Sequence, residues 1–143
     1  MVRPYDSQDF QRVLEIEQAC FPQPNPPDRL ADELAQGRAW VEAENGIVHG
    51  FLIAKYKDRI PYVYDIAVHP DYRRNGCATA LMTTFHNHFS AFDETWLQVR
   101  SDNPAELLYA DMGYRIANLR WNYYGPGTLA LDMYRSNPDR YKK

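Results

Sequence analysis

The spacing of apolar residues changes several times along the chain, and each change marks an element. Phe10, Val13, Leu14 and Ile16 recur at near-helical intervals, with Asp6 or Ser7 placed to cap the free amides, which predicts a first helix. Residues 20–27 then carry four prolines, Pro22, Pro24, Pro26 and Pro27, so they form a stiff loop. Asn25 is placed to cap a second helix with Pro26 in its first turn, Leu30 and Leu34 on one face and Gly37 past its end. Residues 39–44 and 47–56 follow strand patterns around Asn45-Gly46, a hairpin signal, and after a break at 58–61 the β-branched and aromatic run 62–68 predicts a central strand.

Helical spacing returns at Ala78, Leu81, Met82, Phe85 and Phe89. Residues 95–99 predict another strand, and Asn103-Pro104-Ala105-Glu106 starts a helix that carries Leu108 and Met112 and stops at Gly113. Residues 114–124 and 128–134, joined across Gly125-Pro126-Gly127, predict a closing strand pair. Strands alternating with helices imply a mixed α/β sheet, with about six to seven strands and about four helices, in one domain spanning residues 1–143.

Composition narrows the function classes. A chain of 143 residues suffices for one core but not for separate cofactor and substrate domains. No apolar run approaches the roughly 18 residues of a membrane span, the first residues lack an apolar signal core, and Cys20 and Cys77 are too few for a disulfide framework. The expected setting is cytoplasmic, with no membrane partner. A net charge of −3 argues against a nucleic-acid partner and suits a cationic one, such as an amine. The four histidines show no metal-ligand spacing, so no metal site is expected.

The most informative stretch joins the central strand to the next helix: Val68-His69-Pro70-Asp71-Tyr72-Arg73-Arg74-Asn75-Gly76-Cys77-Ala78. A helix N-terminus presents free N–H groups and partial positive charge, and Gly76 and Ala78 leave room for a phosphate to approach them. Arg73 and Arg74 add charge at the rim. Cys77 stands where its backbone N–H, not its thiol, is the useful group.

Arg73-Arg74-Asn75-Gly76-Cys77-Ala78 is similar to the acetyl-CoA signature Q/R-x-x-G-x-G/A of the GNAT acetyltransferase superfamily. The resemblance extends through Ile66-Ala67-Val68-His69-Pro70, Leu97-Gln98-Val99-Arg100, Asn103, Leu108-Tyr109, Gly113-Tyr114 and Arg120-Trp121-Asn122-Tyr123-Tyr124, roughly the last two thirds of the chain. Within the superfamily, the V-R-x-x-N, L-Y-x-x-x-G-Y and R-x-N-Y-Y phrases look most like the ribosomal-protein alanine N-acetyltransferases of RimI type. Two positions depart: the Glu or His usual before V-R is Gln98, and the acidic residue usual in the last strand is Leu129.

The resemblance implies a single GNAT domain in which an amine attacks the acetyl-CoA thioester directly. It implies that Arg73, Arg74, Asn75, Gly76, Cys77 and Ala78 hold the pyrophosphate, that Ile66, Ala67 and Val68 pair with the pantetheine, and that Asn103 adds a cofactor contact. Tyr109 takes the position of the tyrosine that protonates the departing thiolate. Gln98 cannot usefully accept a proton. Tyr62, at the family's other base position, is the alternative, with Asp65 and Glu44 as carboxylate candidates. Phe21, Gln98, Tyr123 and Tyr124 are expected around the acceptor, which is either a peptide N-terminus or a small amine such as a polyamine, amino acid or aminoglycoside. A non-catalytic acyl-CoA-binding module is the reading that Gln98 leaves open.

Overall fold

The computed structural model describes residues 1–101, 105–123 and 125–137. Its strands are β1 (Val2–Pro4), β2 (Arg38–Glu44), β3 (Ile47–Lys57), β4 (Ile60–Val68), β5 (Glu94–Arg100), β6 (Arg115–Trp121) and β7 (Leu129–Ser136). Its α-helices are α1 (Phe10–Cys20), α2 (Pro27–Gln36), α3 (Cys77–His88) and α4 (Ala105–Asp111). The strands form one seven-stranded sheet in the order β1-β2-β3-β4-β5-β7-β6, the mixed α/β architecture that the hydrophobic pattern implied. Pairs β1–β2, β2–β3, β5–β7 and β6–β7 are antiparallel, whereas β4 and β5 are parallel.

By its internal contacts the chain divides into two compact units, Met1–Lys55 with Tyr64–Asn87, and Tyr56–Val63 with His88–Lys143. The first is built on a cluster that includes Val13, Ile16, Leu30, Val41, Phe51 and Ile53, all fully buried. Val13 and Ile16 reach it because they stand three apart on α1. Asp6 closes a capping box with Asp9, but over a short 3₁₀ turn, Ser7–Asp9, that runs into α1. The helix expectation at Asn25 is corrected: Pro26 occupies the start of α2 without a side-chain cap, and the Asn25 amide is spent elsewhere. Asn45 and Gly46 turn the β2–β3 hairpin with φ of 53° and 79°, the left-handed pair that a two-residue type I′ turn requires. Strand β1, absent from the sequence reading, is only three residues with a proline, and its register Val2↔Glu42 to Pro4↔Trp40 comes entirely from β2. Gly50 of β3 marks a close approach. A Cβ there would meet Cys77 Sγ at 2.7 Å and the Ala67 carbonyl at 2.8 Å.

In the second unit β7 is the buried strand, with Ala130, Leu131 and Met133 inside, while β6 is exposed along its length. The Thr95 and Tyr114 hydroxyls share a buried hydrogen bond of 2.9 Å. Asn137 fastens the end of β7: its Nδ2 donates to the Phe89 carbonyl at 3.1 Å and its N–H to that of Asp93 at 2.8 Å. The Tyr56, Phe89 and Phe92 rings pack around one another at 5.7–5.9 Å. Parallel pairing with β4 is confined, among the described residues, to Tyr62↔Trp96 and Val63↔Leu97.

Candidate active site

The turn after β4 is shaped by its own residues. Pro70–Tyr72 form a 3₁₀ turn in which His69 Nδ1 accepts from the Asp71 amide at 3.1 Å, and the Tyr72 ring stacks on His49 at 3.7 Å. Arg74 and Gly76 then adopt left-handed backbone, with φ of 68° and 78°. Alternating backbone hands of this kind turn successive N–H groups inward to form an anion-binding nest. The first bond of α3 runs from the Ala80 amide to the Gly76 carbonyl, so the amides of the helix's first residues have no acceptor within it. A Cβ at Gly76 would project into open space, with no atom within 4 Å. Donors, dipole and room therefore coincide at residues 74–78, and the turn fits a pyrophosphate. Cys77 is buried, and that burial pushes its thiol up to about 12, so it stays protonated and is no nucleophile at neutral pH. The Arg73 side chain turns back along β4, its Nε donating to the Val68 carbonyl at 3.2 Å and its second amine to Cys20 Sγ at 3.5 Å.

Upstream on β4, Asp65 belongs to a polar cluster beneath the proline-rich loop. Glu17 of α1 is 2% exposed, and its Oε2 accepts from the Asn25 amide at 2.8 Å and from Asn25 Nδ2 at 3.3 Å. Tyr64 donates its hydroxyl to Asn25 Oδ1 at 3.1 Å and accepts from Arg29 Nε at 3.3 Å. Asn25 Nδ2 also reaches Asp65 Oδ2 at 3.5 Å. Asp65 is only half-buried at its surface, yet its carboxyl sits in a site that holds it well above the usual carboxylate range. Burial is the main cause, and the adjacent Glu17 carboxyl is the next. Glu44, the other carboxylate candidate, pairs with the Met1 amino group, which holds it below the ordinary range and makes it a poor proton acceptor.

The second unit carries Tyr62, Gln98, Tyr109 and Tyr123. Gln98 of β5 faces Asp132 of β7 in register, and its Nε2 donates to Asp132 Oδ1 at 2.9 Å. Arg120 of β6 donates to Asp132 Oδ2 at 2.6 Å, and its guanidinium carbon lies 5.9 Å from the centre of the Tyr123 ring. Tyr109 of α4 is 4% exposed and meets Tyr114 edge to face at 6.3 Å. Phe21, in the first unit, ends α1 in extended backbone and packs on that unit's core. Ile66, Ala67, Val68 and residues 73–78 all lie in the first unit, on one strand and the turn that follows it, whereas Tyr109, also expected at the cofactor, lies in the second. Asn103 and Tyr124 lie outside the described residues. Sequence reasoning missed Asp132 and Glu17. A lone acid in the apolar run Leu129–Ser136 was the available sign of Asp132, whereas Glu17 looks like any helix glutamate until burial is known. Among the described residues no group of three His, Cys, Asp or Glu is placed to hold a metal ion, and no helix is long and apolar enough to cross a membrane.

Residues 35–116 match the family profile described as an acetyltransferase (GNAT) domain. The chain belongs to the GNAT acetyltransferase family, and it is an N-acetyltransferase that uses acetyl-CoA. It is similar to the [ribosomal protein bS18]-alanine N-acetyltransferase of Haemophilus ducreyi, 30% identical over 130 residues covering 87% of this chain and 88% of that one. The crystal structure of the ribosomal-protein-S18-alanine N-acetyltransferase of Escherichia coli superposes with a TM-score of 0.87 at 25% identity, covering 96% of this chain and 93% of that chain. Ard1 of Thermoplasma volcanium gives a TM-score of 0.87 at 25% identity, covering 95% and 96%.

Proposed function

We propose that the acceptor is the α-amine of a protein N-terminus, alanine first among the residues to test. The carrying observation is the 30% identity to a bS18-alanine N-acetyltransferase over 87% of the chain. Acetyl-CoA supplies the activated acyl group. On this reading the amides of residues 74–78 bind its pyrophosphate, and the edge of β4 at Ile66–Val68 binds the pantetheine. Arg73 would leave Val68 and Cys20 to meet that arm. Tyr109, a neutral phenol, donates to the leaving sulfur. Gln98, fixed through its Nε2 by Asp132, offers its carbonyl oxygen to the acceptor as a hydrogen-bond acceptor only. The two cysteines are free thiols, which suits a reducing cytoplasmic setting.

The test is acetyl transfer to three acceptor sets: peptides with a free N-terminal alanine, the same peptides N-terminally blocked but carrying a lysine, and polyamines, amino acids and aminoglycosides. Transfer confined to the free α-amine is expected. A kcat/KM for any small amine equal to or above that of the peptides would overturn the reading, and binding of acetyl-CoA without turnover of any amine would leave a non-catalytic module.

A further inference from the structure

We propose that Asp65, held beside Glu17 by the side chain of Asn25, is the group that takes the proton from the acceptor's ammonium. The inference rests on the acetyl-CoA site assigned above, and it fills the gap left by Gln98. Asp132 does not fill that gap, because Oδ1 already holds the Gln98 amide and Oδ2 the Arg120 guanidinium.

Geometry singles out Asp65. The pyrophosphate turn follows the C-terminal end of β4, so a pantetheine arm leading back from it passes Val68 and Ile66 and then meets Asp65. The distance from Val68 to Asp65 is about 10 Å at the rise of a strand. Asp65 is the partly exposed member of the pair, whereas Glu17 is 2% exposed. One carboxyl can therefore meet a substrate while the other only tunes it.

The pair is built to hold a proton. Glu17 Oε2 is satisfied by Asn25, but Oε1 is buried and receives no hydrogen bond among the described residues. Asn25 Nδ2 reaches both carboxyls, Glu17 Oε2 at 3.3 Å and Asp65 Oδ2 at 3.5 Å, so the two lie side by side and a proton on Asp65 can supply the missing donor. The surrounding groups leave that proton in place. From α1 come Glu17 and Cys20, whose thiol is itself pushed up by burial; from the loop comes the Asn25 amide; from β4 come the Ile66 N–H and the Tyr64 hydroxyl. Arg29 is engaged with Tyr64, and Arg73 with Cys20 and Val68. The influences that favour the Asp65 anion, from Ile66 and Asn25, are hydrogen bonds rather than cations. Two carboxyls so placed titrate in two steps that belong to the pair, and the upper step is the one matched to an ammonium.

In the forward step the ionised Asp65 carboxylate takes one proton from R–NH₃⁺. The freed lone pair forms the N–C bond, the C–S bond breaks, and the second proton lost by nitrogen ends on the departing sulfur. Asp65 then returns its proton to solvent.

The experiment reads the pair twice. In the ligand-free protein, carbon-13 NMR of the side-chain carboxyl should show Asp65 titrating above the ordinary carboxylate range, and Glu17→Gln should move that step down by removing the like charge. In the loaded enzyme, with whichever amine is turned over best, the acid limb of kcat/KM should coincide with that step and shift with it. Asp65→Asn should lower kcat near neutral pH by about 10²–10⁴-fold, and less at alkaline pH where the amine is already neutral. An Asp65 that titrates in the ordinary range, or an Asp65→Asn profile parallel to the parent's at every pH, overturns the proposal. If peptides fail as acceptors while a small amine succeeds, the acceptor reading falls and the pair is still decided by both measurements. If no amine is turned over, the carboxyl titration alone decides it.

Discussion

Each unit holds one aspartate in a polar cluster, and the company each keeps is opposite. Asp132 has an amide on one oxygen and a guanidinium on the other, at 2.9 and 2.6 Å. Asp65 has a second carboxyl beside it and a single side-chain amide at 3.5 Å. The same side chain thus becomes a fixed anchor in one unit and a proton-holding group in the other. Charge balance decides which, since a carboxylate neighbour makes a second negative charge costly and a cation makes it welcome. The loss of the usual Glu or His at position 98 is therefore no evidence against turnover. It moves the question of the base to another strand.

That contrast can be broken in three ways. The largest effect is expected from Asp132→Ala, which leaves the Gln98 amide and Arg120 without their shared acceptor. Because Arg120 is partly exposed, the loss should be about 1–3 kcal/mol, read as a lowered denaturant midpoint at constant slope. An unchanged midpoint would show that the cation contributes nothing to the Asp132 site.

A sharper test converts one environment into the other. Gln98→Glu places a second carboxyl against Asp132 and so rebuilds, in the second unit, the arrangement that Glu17 and Asp65 have in the first. Its stability should fall as pH rises, and adding Asp132→Asn should restore it, with a coupling of about 0.5–3 kcal/mol in the double-mutant cycle. Additive single effects would refute the like-charge explanation for both sites.

The smallest effect concerns Asp65→Asn and stability rather than rate. A carboxyl held above its unfolded value contributes stability fully at pH below the ordinary carboxylate range and loses it as pH rises toward the raised value. The amide mimics the protonated form. Wild type and variant should therefore melt together at pH below the ordinary carboxylate range, while at pH 8 the variant should melt higher than wild type. A variant that melts lower at pH 8 would mean that the Asp65 anion is stabilised in the fold.

What the sequence made legible follows from range. The Asn45-Gly46 hairpin, the Gly76 turn and the face of α3 are local patterns, and the structure has all of them. Strand β1 was illegible because its extended form exists only against β2, some 40 positions away. Asn25 misled for a related reason: a residue suited to capping a helix found a buried carboxylate eight positions back instead. The motif positions of the candidate site could be named, yet the partners that define their chemistry could not. Glu17 lies 48 positions from Asp65, and Asp132 lies 34 from Gln98. Only strand register and helix packing bring such pairs together.

Gly50 extends the reach of the turn proposed to bind acetyl-CoA beyond its recognisable motif. It is buried in β3, 26 positions before Gly76, and no signature marks it, yet the space of one methyl group there is already filled by the thiol of the residue after Gly76 and by the Ala67 carbonyl. Drift at position 50 would be felt where the donor amides begin, so inherited or engineered variants that spare every signature residue can still disable the turn. The part of the chain that must stay constant for this chemistry is larger than the part by which the chemistry is recognised.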